Sequence, residues 1–236
     1  VIVATSSPER ISPATACTIN KKLEFSKNVP SFDINAVCAG FVFAVGMAAP
    51  LVSCGACKNI LIIATEAYSK ITDYDHRNCV FFGDGAGAIV LSNSDKGWIH
   101  CELSSNGSGT GDSGFNCPLN DKYKTIPKQV WDQAVGVLPD SIKLALKNAN
   151  LKACDVSMLV PHQASINMLK LIASKVSISE DKVKTVMHKY GNIAGASIPI
   201  AFDEAVKRKQ VKRGDKVLFT AIGSGWSWGS IVVGYE

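Results

Sequence analysis

Residues 34–57 carry no charged side chain, and this run limits the fold more than any other stretch of the chain. It is long enough for the ~20 apolar positions that cross a bilayer. Its composition argues against that use: it is rich in Gly, Ala, Ser and Cys, contains Asn35 and Pro50, and has one Leu. A helix that is apolar all round is also what a helix buried between two sheets looks like, and we read it as a buried central helix. Such a helix needs a sheet on either side. A chain of 236 residues, 47% hydrophobic and 19% charged, has the core-forming capacity to supply both.

The start of this run carries the first candidate for chemistry. Ser31 to Ile34 reads as a short strand, Asn35-Ala36-Val37 as a tight turn, and Cys38 as the residue opening the helix. At that position unpaired backbone N–H groups and the positive end of the helix dipole converge. The dipole favours a thiolate by about 0.3–2 kcal/mol. From an ordinary thiol pKa of about 8.5, that brings roughly half the cysteine to thiolate at neutral pH. The small residues Ala39 and Gly40 leave room for a substrate carbonyl. On this stretch alone a buried structural cysteine accounts for the residue equally well.

Strands and helices alternate through the rest. Strands are expected at 1–5, 59–65, 88–91, 98–103, 156–160, 183–187, 216–221 and 230–235, and helices at 14–23, 129–148, 165–176 and 194–207. The 59–65 strand is solidly apolar, as in parallel sheets covered on both faces. Gly83-Asp84-Gly85-Ala86-Gly87 reads as a turn. A strand follows it instead of a helix, which argues against a dinucleotide loop. The Gly/Ser-rich segment 104–114 reads as a mobile surface loop.

A loose internal repeat is present. Val1-Ile2-Val3-Ala4 parallels Met158-Leu159-Val160-Pro161, Asn59-Ile60-Leu61-Ile62 parallels Lys216-Val217-Leu218-Phe219, and Ala88-Ile89-Val90 parallels Ser230-Ile231-Val232. This predicts an α/β protein of two halves, 1–95 and 96–236, each with a mainly parallel mixed sheet. About sixty residues separate the seam at 92–96 from Met158, with no counterpart ahead of Val1. We expect the opening of the first half to lie upstream of this sequence.

The formal net charge of +5 is mild, and no Lys/Arg-rich run or basic–aromatic interleaving indicates nucleic acid. Eight cysteines lie scattered without the spacing of a disulfide scaffold, which suggests a reducing, cytoplasmic setting. Cys54-Gly55-Ala56-Cys57 fits C-x-x-C, but no second pair or His motif follows, so no metal is expected there. His162 ends a strand, and Asn192 sits in a loop between a strand and a helix, both positions where α/β ligand sites collect. Singly, each reads as a loop residue. If the halves pack about a pseudo-twofold axis, His162 and Asn192 face Cys38. Two side-chain N–H donors opposite a nucleophilic thiolate can hold a developing enolate oxygen.

Five motifs, in order from Asp33-Ile34-Asn35-Ala36-Val37-Cys38-Ala39-Gly40-Phe41 through Phe82-Gly83-Asp84-Gly85-Ala86-Gly87, Pro161-His162-Gln163-Ala164 and Gly191-Asn192 with Ala196-Ser197-Ile198-Pro199 to Gly223-Ser224-Gly225-Trp226-Ser227-Trp228-Gly229, resemble the β-ketoacyl-[acyl-carrier-protein] synthase III family of the thiolase superfamily. The resemblance runs the length of the chain. It implies a thiolase-like five-layered αβαβα fold, a cytoplasmic homodimer, and no cofactor, metal, nucleic acid or membrane. It implies decarboxylative condensation of an acyl-CoA primer with malonyl-acyl carrier protein, initiating fatty acid synthesis. Cys38 is then the acylated nucleophile, His162 and Asn192 the decarboxylation pair, and the backbone N–H groups of Cys38 and Ser224 the oxyanion hole. Arg77, Ser12 and Phe82 are the implied substrate contacts: Arg77 on the CoA nucleotide, Ser12 where many members have a bulky residue closing the partner's acyl pocket. Asn167 and Asp132 stand where bacterial members often carry basic residues. That departure leaves a related acyltransferase, or an enzyme like the type III polyketide synthases, as the alternative.

Overall fold

The computed structural model describes residues 1–25, 28–94, 97–110, 115–117 and 121–236. The chain runs β1 (Ile2–Ala4), α1 (Thr15–Lys22), β2 (Phe32–Ile34), a 3-10 turn (Val37–Ala39), α2 (Gly40–Ser53), β3 (Asn59–Ala67), β4 (Asp84–Ser92) and β5 (Trp98–Ser105). A small hairpin follows, β6 (Phe115–Asn116) and β7 (Lys124–Thr125), then α3 (Pro127–Asn148), β8 (Met158–Pro161), α4 (Ile166–Lys175) and α5 (Met187–Tyr190). A second 3-10 turn (Ala194–Ala196) leads into α6 (Ser197–Lys207), β9 (Lys216–Gly223) and β10 (Ser227–Gly234). The expected division between 95 and 96, and part of the 104–114 loop, lie outside the described residues.

Two four-stranded sheets have the orders β2-β1-β3-β4 and β5-β10-β9-β8. In each, the first strand of the repeat lies parallel to the second, and the second antiparallel to the third. The first sheet is mainly parallel as expected, with two of its three pairings parallel; the second has one parallel pairing of three, because β10 runs antiparallel to both of its neighbours, β9 and β5.

The core follows from the uncharged run. Phe41, Val42, Val45 and Ala48 of α2 pack with Ile62 of one sheet and Val217 and Ile231 of the other, and Phe41 meets Phe219 edge to face at 5.9 Å. Each of the Phe, Val and Ile side chains contributes roughly 1.5–3 kcal/mol by burial. Helix α6 shares this middle layer through Ile198, Ala201 and Ala205. On the outer face of the second sheet, Ile142, Leu146, Met168 and Ile172 of α3 and α4 cover Leu159, Leu218 and Val232. On the outer face of the first, α1 covers Val1 and Val3 through Ala16 and Ile19. Asp33 of β2 caps α1, accepting from the N–H groups of Thr15 and Ala16 at 2.6 and 2.7 Å. The layers are therefore α1, sheet, α2 with α6, sheet, and α3 with α4.

Four expectations change. Helix α2 is not enclosed on every side: Met47 and Leu51 are exposed, because the sheets cover only part of its circumference towards the C-terminal end. Strand β3 alternates buried and half-buried residues, so only one face is sealed. Residues 84–87 belong to β4 and are not a turn. Their glycines serve close packing: a β-carbon on Gly85 or Gly87 would come within about 3 Å of Ile200 and Pro199 of α6. The strand expected at 183–187 is only a bridge from Val183 to Leu159, since the chain turns into α5 at Met187. No helix among the described residues is long and apolar enough to cross a membrane.

Candidate active site

Cys38 sits on a strained elbow. Asn35 Oδ1 accepts from the Val37 N–H at 3.0 Å, and Ala36 O accepts from the Ala39 N–H at 3.0 Å. Between them Val37 is held at φ +48°, a left-handed conformation that a β-branched residue adopts only where its surroundings enforce it. The cysteine lies in the 3-10 turn, two residues ahead of α2. Burial pushes its thiol well above the ordinary range, the charge of Glu66 adds to this, and its own backbone N–H is the smaller opposing influence. The side chain keeps some accessible surface, but the protein around the sulfur is dense. The half-ionised thiolate expected from the helix dipole is therefore corrected: desolvation outweighs the dipole.

A second elbow repeats the first. Asn192 Oδ1 accepts from the Ala194 N–H at 2.9 Å, Ala194 has φ +40°, and a 3-10 turn leads into α6. This bond commits the Asn192 oxygen and turns its Nδ2 donors the other way. The Asn192 backbone is laced to the first half, donating to Phe81 O at 2.8 Å and accepting from the Gly83 N–H at 3.1 Å. Gly195 is the counterpart of Cys38, and a β-carbon there would lie 3.1 Å from Val37 O. The elbows are in contact.

His162 follows β8, its N–H donating to Thr220 O at 2.8 Å. The ring is buried, and Nδ1 lies 3.1 Å from Ala194 O. A carbonyl only accepts, so Nδ1 carries the proton and Nε2 of the neutral ring is a lone pair. Burial lowers the pKa to about 4, only partly offset by the Ala194 bond. Burial holds the ring neutral at pH 7, so in this state Nε2 offers a lone pair, and it donates only after gaining a proton.

The first oxyanion-hole candidate, Cys38 N, is met by the end of β9. A β-carbon on Gly223 would be 2.3 Å from Ala36 O and 3.2 Å from Cys38 N, so only glycine lets this strand abut the elbow. Ser224 is next in the chain, its hydroxyl bound to Phe115 O. Arg77 is exposed at the start of a 3-10 turn, and Ser12 is exposed on the loop before α1. Phe82 is half-buried, 4.6 Å from Tyr123 and 5.4 Å from Tyr68 between ring centroids. Asn167 is exposed on α4, and Asp132 pairs with Lys128 on the surface.

Several residues at the site escaped the sequence reading. Tyr68 is fully buried and stacks on Phe115. Gln163 is fully buried and fixes the histidine loop, donating to Pro161 O and Lys184 O and accepting from the Val186 N–H. Glu66 is 3% exposed, and burial raises its pKa to about 7 against the lowering effect of several hydrogen bonds. It shares the inward phase of Ile60, Ile62 and Ala64, and that period-two signal was available in the sequence.

His162 and Glu66 load stability in opposite pH directions. A depressed histidine contributes stability fully above pH 6.5, which is lost as pH falls towards about 4. A raised carboxyl contributes below about 4.5, which is lost as pH rises through about 7. Between pH 7 and 4.5, a His162→Asn variant should lose about 2 kcal/mol less stability than the unmutated chain. Urea unfolding at the two pH values measures it, and equal losses would mean that His162 is not neutral in the native site.

Family comparisons meet the chain at these motifs. A family described as 3-oxoacyl-[acyl-carrier-protein (ACP)] synthase III matches residues 32–107, and its C-terminal family matches 146–235. The β-ketoacyl-[acyl-carrier-protein] synthase III of Clostridium acetobutylicum is 37% identical over 249 residues, covering 99% of this chain and 76% of the relative. The chain belongs to the β-ketoacyl-[acyl-carrier-protein] synthase III family. The synthase III of Thiobacillus denitrificans is also 37% identical, over all of this chain and 76% of its own length. The crystal structure of the synthase III from Aquifex aeolicus superposes with a TM-score of 0.95 at 37% identity, covering 99% of this chain and 76% of that one. The thiolase-like layering thus recurs in a solved synthase III.

Proposed function

We propose that this chain carries the site for decarboxylative condensation of an acyl-CoA with malonyl-acyl carrier protein, the step that initiates fatty acid synthesis. The observation that carries this reading is the meeting of the Cys38 elbow with the Asn192 elbow, whose Ala194 carbonyl in turn holds the His162 ring. In the first step Cys38 sulfur attacks the primer thioester carbonyl. Its proton passes to a base, for which the free Nε2 lone pair of His162 is suited. The oxyanion rests on the backbone N–H groups of Cys38 and Ser224, the C–S bond to CoA breaks, the departing sulfur takes the proton from Nε2 and leaves as the thiol of CoA, and the acyl group stays on Cys38.

In the second step the bond from the malonyl carbon to its carboxylate breaks and CO₂ leaves. The electron pair becomes an enolate whose oxygen rests on Asn192 Nδ2 and His162 Nε2. The incoming malonyl carboxylate supplies the negative charge that raises the pKa of His162 and holds a proton at Nε2. The enolate carbon then attacks the acyl thioester and expels the Cys38 thiolate. None of these steps calls on a cofactor or metal.

The rings of Tyr68, Phe82, Phe115 and Tyr123 give the acyl group an apolar wall. The exposed apolar side chains of Ile11, Val80 and Phe81 support a homodimer, in which Ser12 reaches the partner's acyl pocket and leaves it open to primers longer than acetyl. Exposed Arg77 suits the CoA phosphates. A cytoplasmic setting fits these substrates. The pairing of Asp132 with Lys128 weakens a basic landing surface for a carrier protein, which keeps a related acyltransferase with another acceptor as the second reading.

Release of CO₂ from malonyl-acyl carrier protein separates the two readings. A His162→Ala variant should still transfer acyl groups to Cys38, more slowly for want of the Nε2 base, but lose decarboxylation by about 2–4 kcal/mol of barrier, the cost of one oxyanion donor. Decarboxylation at the unmutated rate would remove His162 from the enolate's binding site.

A further inference from the structure

Glu66 is a buried carboxylate that the steps above do not use. Among the described residues it forms no ion pair, and its partners are all neutral donors. The Ser6 N–H lies 3.1 Å from Oε2, the Ser6 hydroxyl 2.9 Å and the Ser7 hydroxyl 2.6 Å, and the Gly195 N–H also donates to it. Ser7 is held in turn by the Ala67 N–H at 2.8 Å, and Ser6 by the Tyr68 hydroxyl at 3.0 Å. The carboxylate therefore gathers the loop after β1, the end of β3 and the Asn192 elbow. It lies directly behind the nucleophile's turn: Glu66 Oε1 and Val37 O both fall within 3.4 Å of the point where a β-carbon on Gly195 would stand. A carboxylate held this way, without a cation, is costly to bury and marks a functional role.

Resting on the reading of Cys38 as the nucleophile, we infer that Glu66 is a positioning residue that locks the two elbows together and shares a single negative charge with Cys38, so that around neutral pH the thiolate forms while Glu66 is protonated. The groups around it allow this. Cys38 and Tyr68 feel its charge, His162 reaches the adjoining Ala194 carbonyl as a neutral ring, and Asp84 at the start of β4 is engaged with Ser69. No lysine or arginine among the described residues pairs with it to remove the coupling.

Two coupled acids leave a signature in the pH dependence of thiolate reactivity. Below the first titration, Cys38 alkylation rises tenfold per pH unit. Once Glu66 ionises, near pH 7, each gain in pH is offset by repulsion and the rate flattens, rising again about one pH unit or more higher. The test is iodoacetamide labelling of the purified chain from pH 5.5 to 9.5, with Cys38 read by peptide mass because eight cysteines are present.

We expect the flat stretch in the unmutated chain, a single uninterrupted rise in Glu66→Gln with roughly five- to tenfold faster labelling at pH 8, and return of the flat stretch in Glu66→Asp. An uninterrupted rise in the unmutated chain overturns the inference, and this arm needs no variant to fold. A flat stretch that persists in Glu66→Gln overturns it as well. The readout needs no substrate, so it separates from failure of the condensation reading: a chain that releases no CO₂ yet shows the flat stretch keeps the coupling and loses the reaction.

Discussion

A Cys38→Ala variant should take up no acyl group from acyl-CoA and form no condensation product, yet still release CO₂ from malonyl-acyl carrier protein. The division follows from the placement of the groups. The sulfur is the one atom of the elbow that can form the acyl thioester, whereas the enolate's donors come from the second half of the chain. Those donors are held by bonds that do not involve Cys38: Asn192 by Ala194, Phe81 and Gly83, and His162 by Ala194 and Thr220. Alanine is small, so the turn keeps its Asn35 bond and its contact with Gly223. Intact mass after incubation with acyl-CoA reads the first activity, and CO₂ release reads the second. Loss of both in a folded variant would show that the histidine and asparagine do not work independently of the nucleophile.

Gly223→Ala should lose both stability and acylation, even though the one methyl group it adds meets the backbone of the elbow and not the sulfur. The added carbon would stand 2.3 Å from Ala36 O, with Ala39 N and Cys38 N at 3.1 and 3.2 Å. These are backbone atoms of a turn already strained at Val37, so no rotamer change relieves the overlap. Overpacking of this kind costs about 1–3 kcal/mol, or roughly 2–10 °C in melting temperature for a chain of this size. The strand end moves off the elbow by a good part of an ångström, and acylation should fall about 10²-fold. Gly136→Ala in α3 is the control, since a β-carbon there meets nothing within 4 Å, and it should be neutral or slightly stabilising. A Gly223→Ala chain that melts and acylates like the unmutated one would show that the turn is softer than its contacts imply.

The layered architecture was legible because its signals are periodic and repeated. The uncharged run fixed the central helix, and the paired strand motifs predicted two sheets of the same order. What the sequence hid was context at a distance. Glycines in β4 look like turn glycines until the helix they admit, α6, is seen against them. The stretch at 183–187 has the composition of a strand but meets its neighbour only at Val183. Cys38 carries a local signal for a low pKa, yet the mass of protein that desolvates it comes from strands and loops far along the chain. His162 was legible as a site residue, but its tautomer depends on Ala194, thirty-two positions away. Glu66 could have been found from its inward phase, a carboxylate continuing a row of buried aliphatic residues.

The contact between the two elbows bears on how such a chain can change its sequence over time. Positions 38 and 195 are the same place in the two halves, and only the first carries a side chain. A β-carbon at 195 would press on Val37 O at 3.1 Å and Glu66 Oε1 at 3.4 Å, the carbonyl just ahead of the nucleophile and a buried carboxylate. A side chain regained at 195 therefore has to be matched by a few tenths of an ångström of give in the nucleophile's own turn. Selection on the chemistry of the first half thus also holds the glycine of the second half in place.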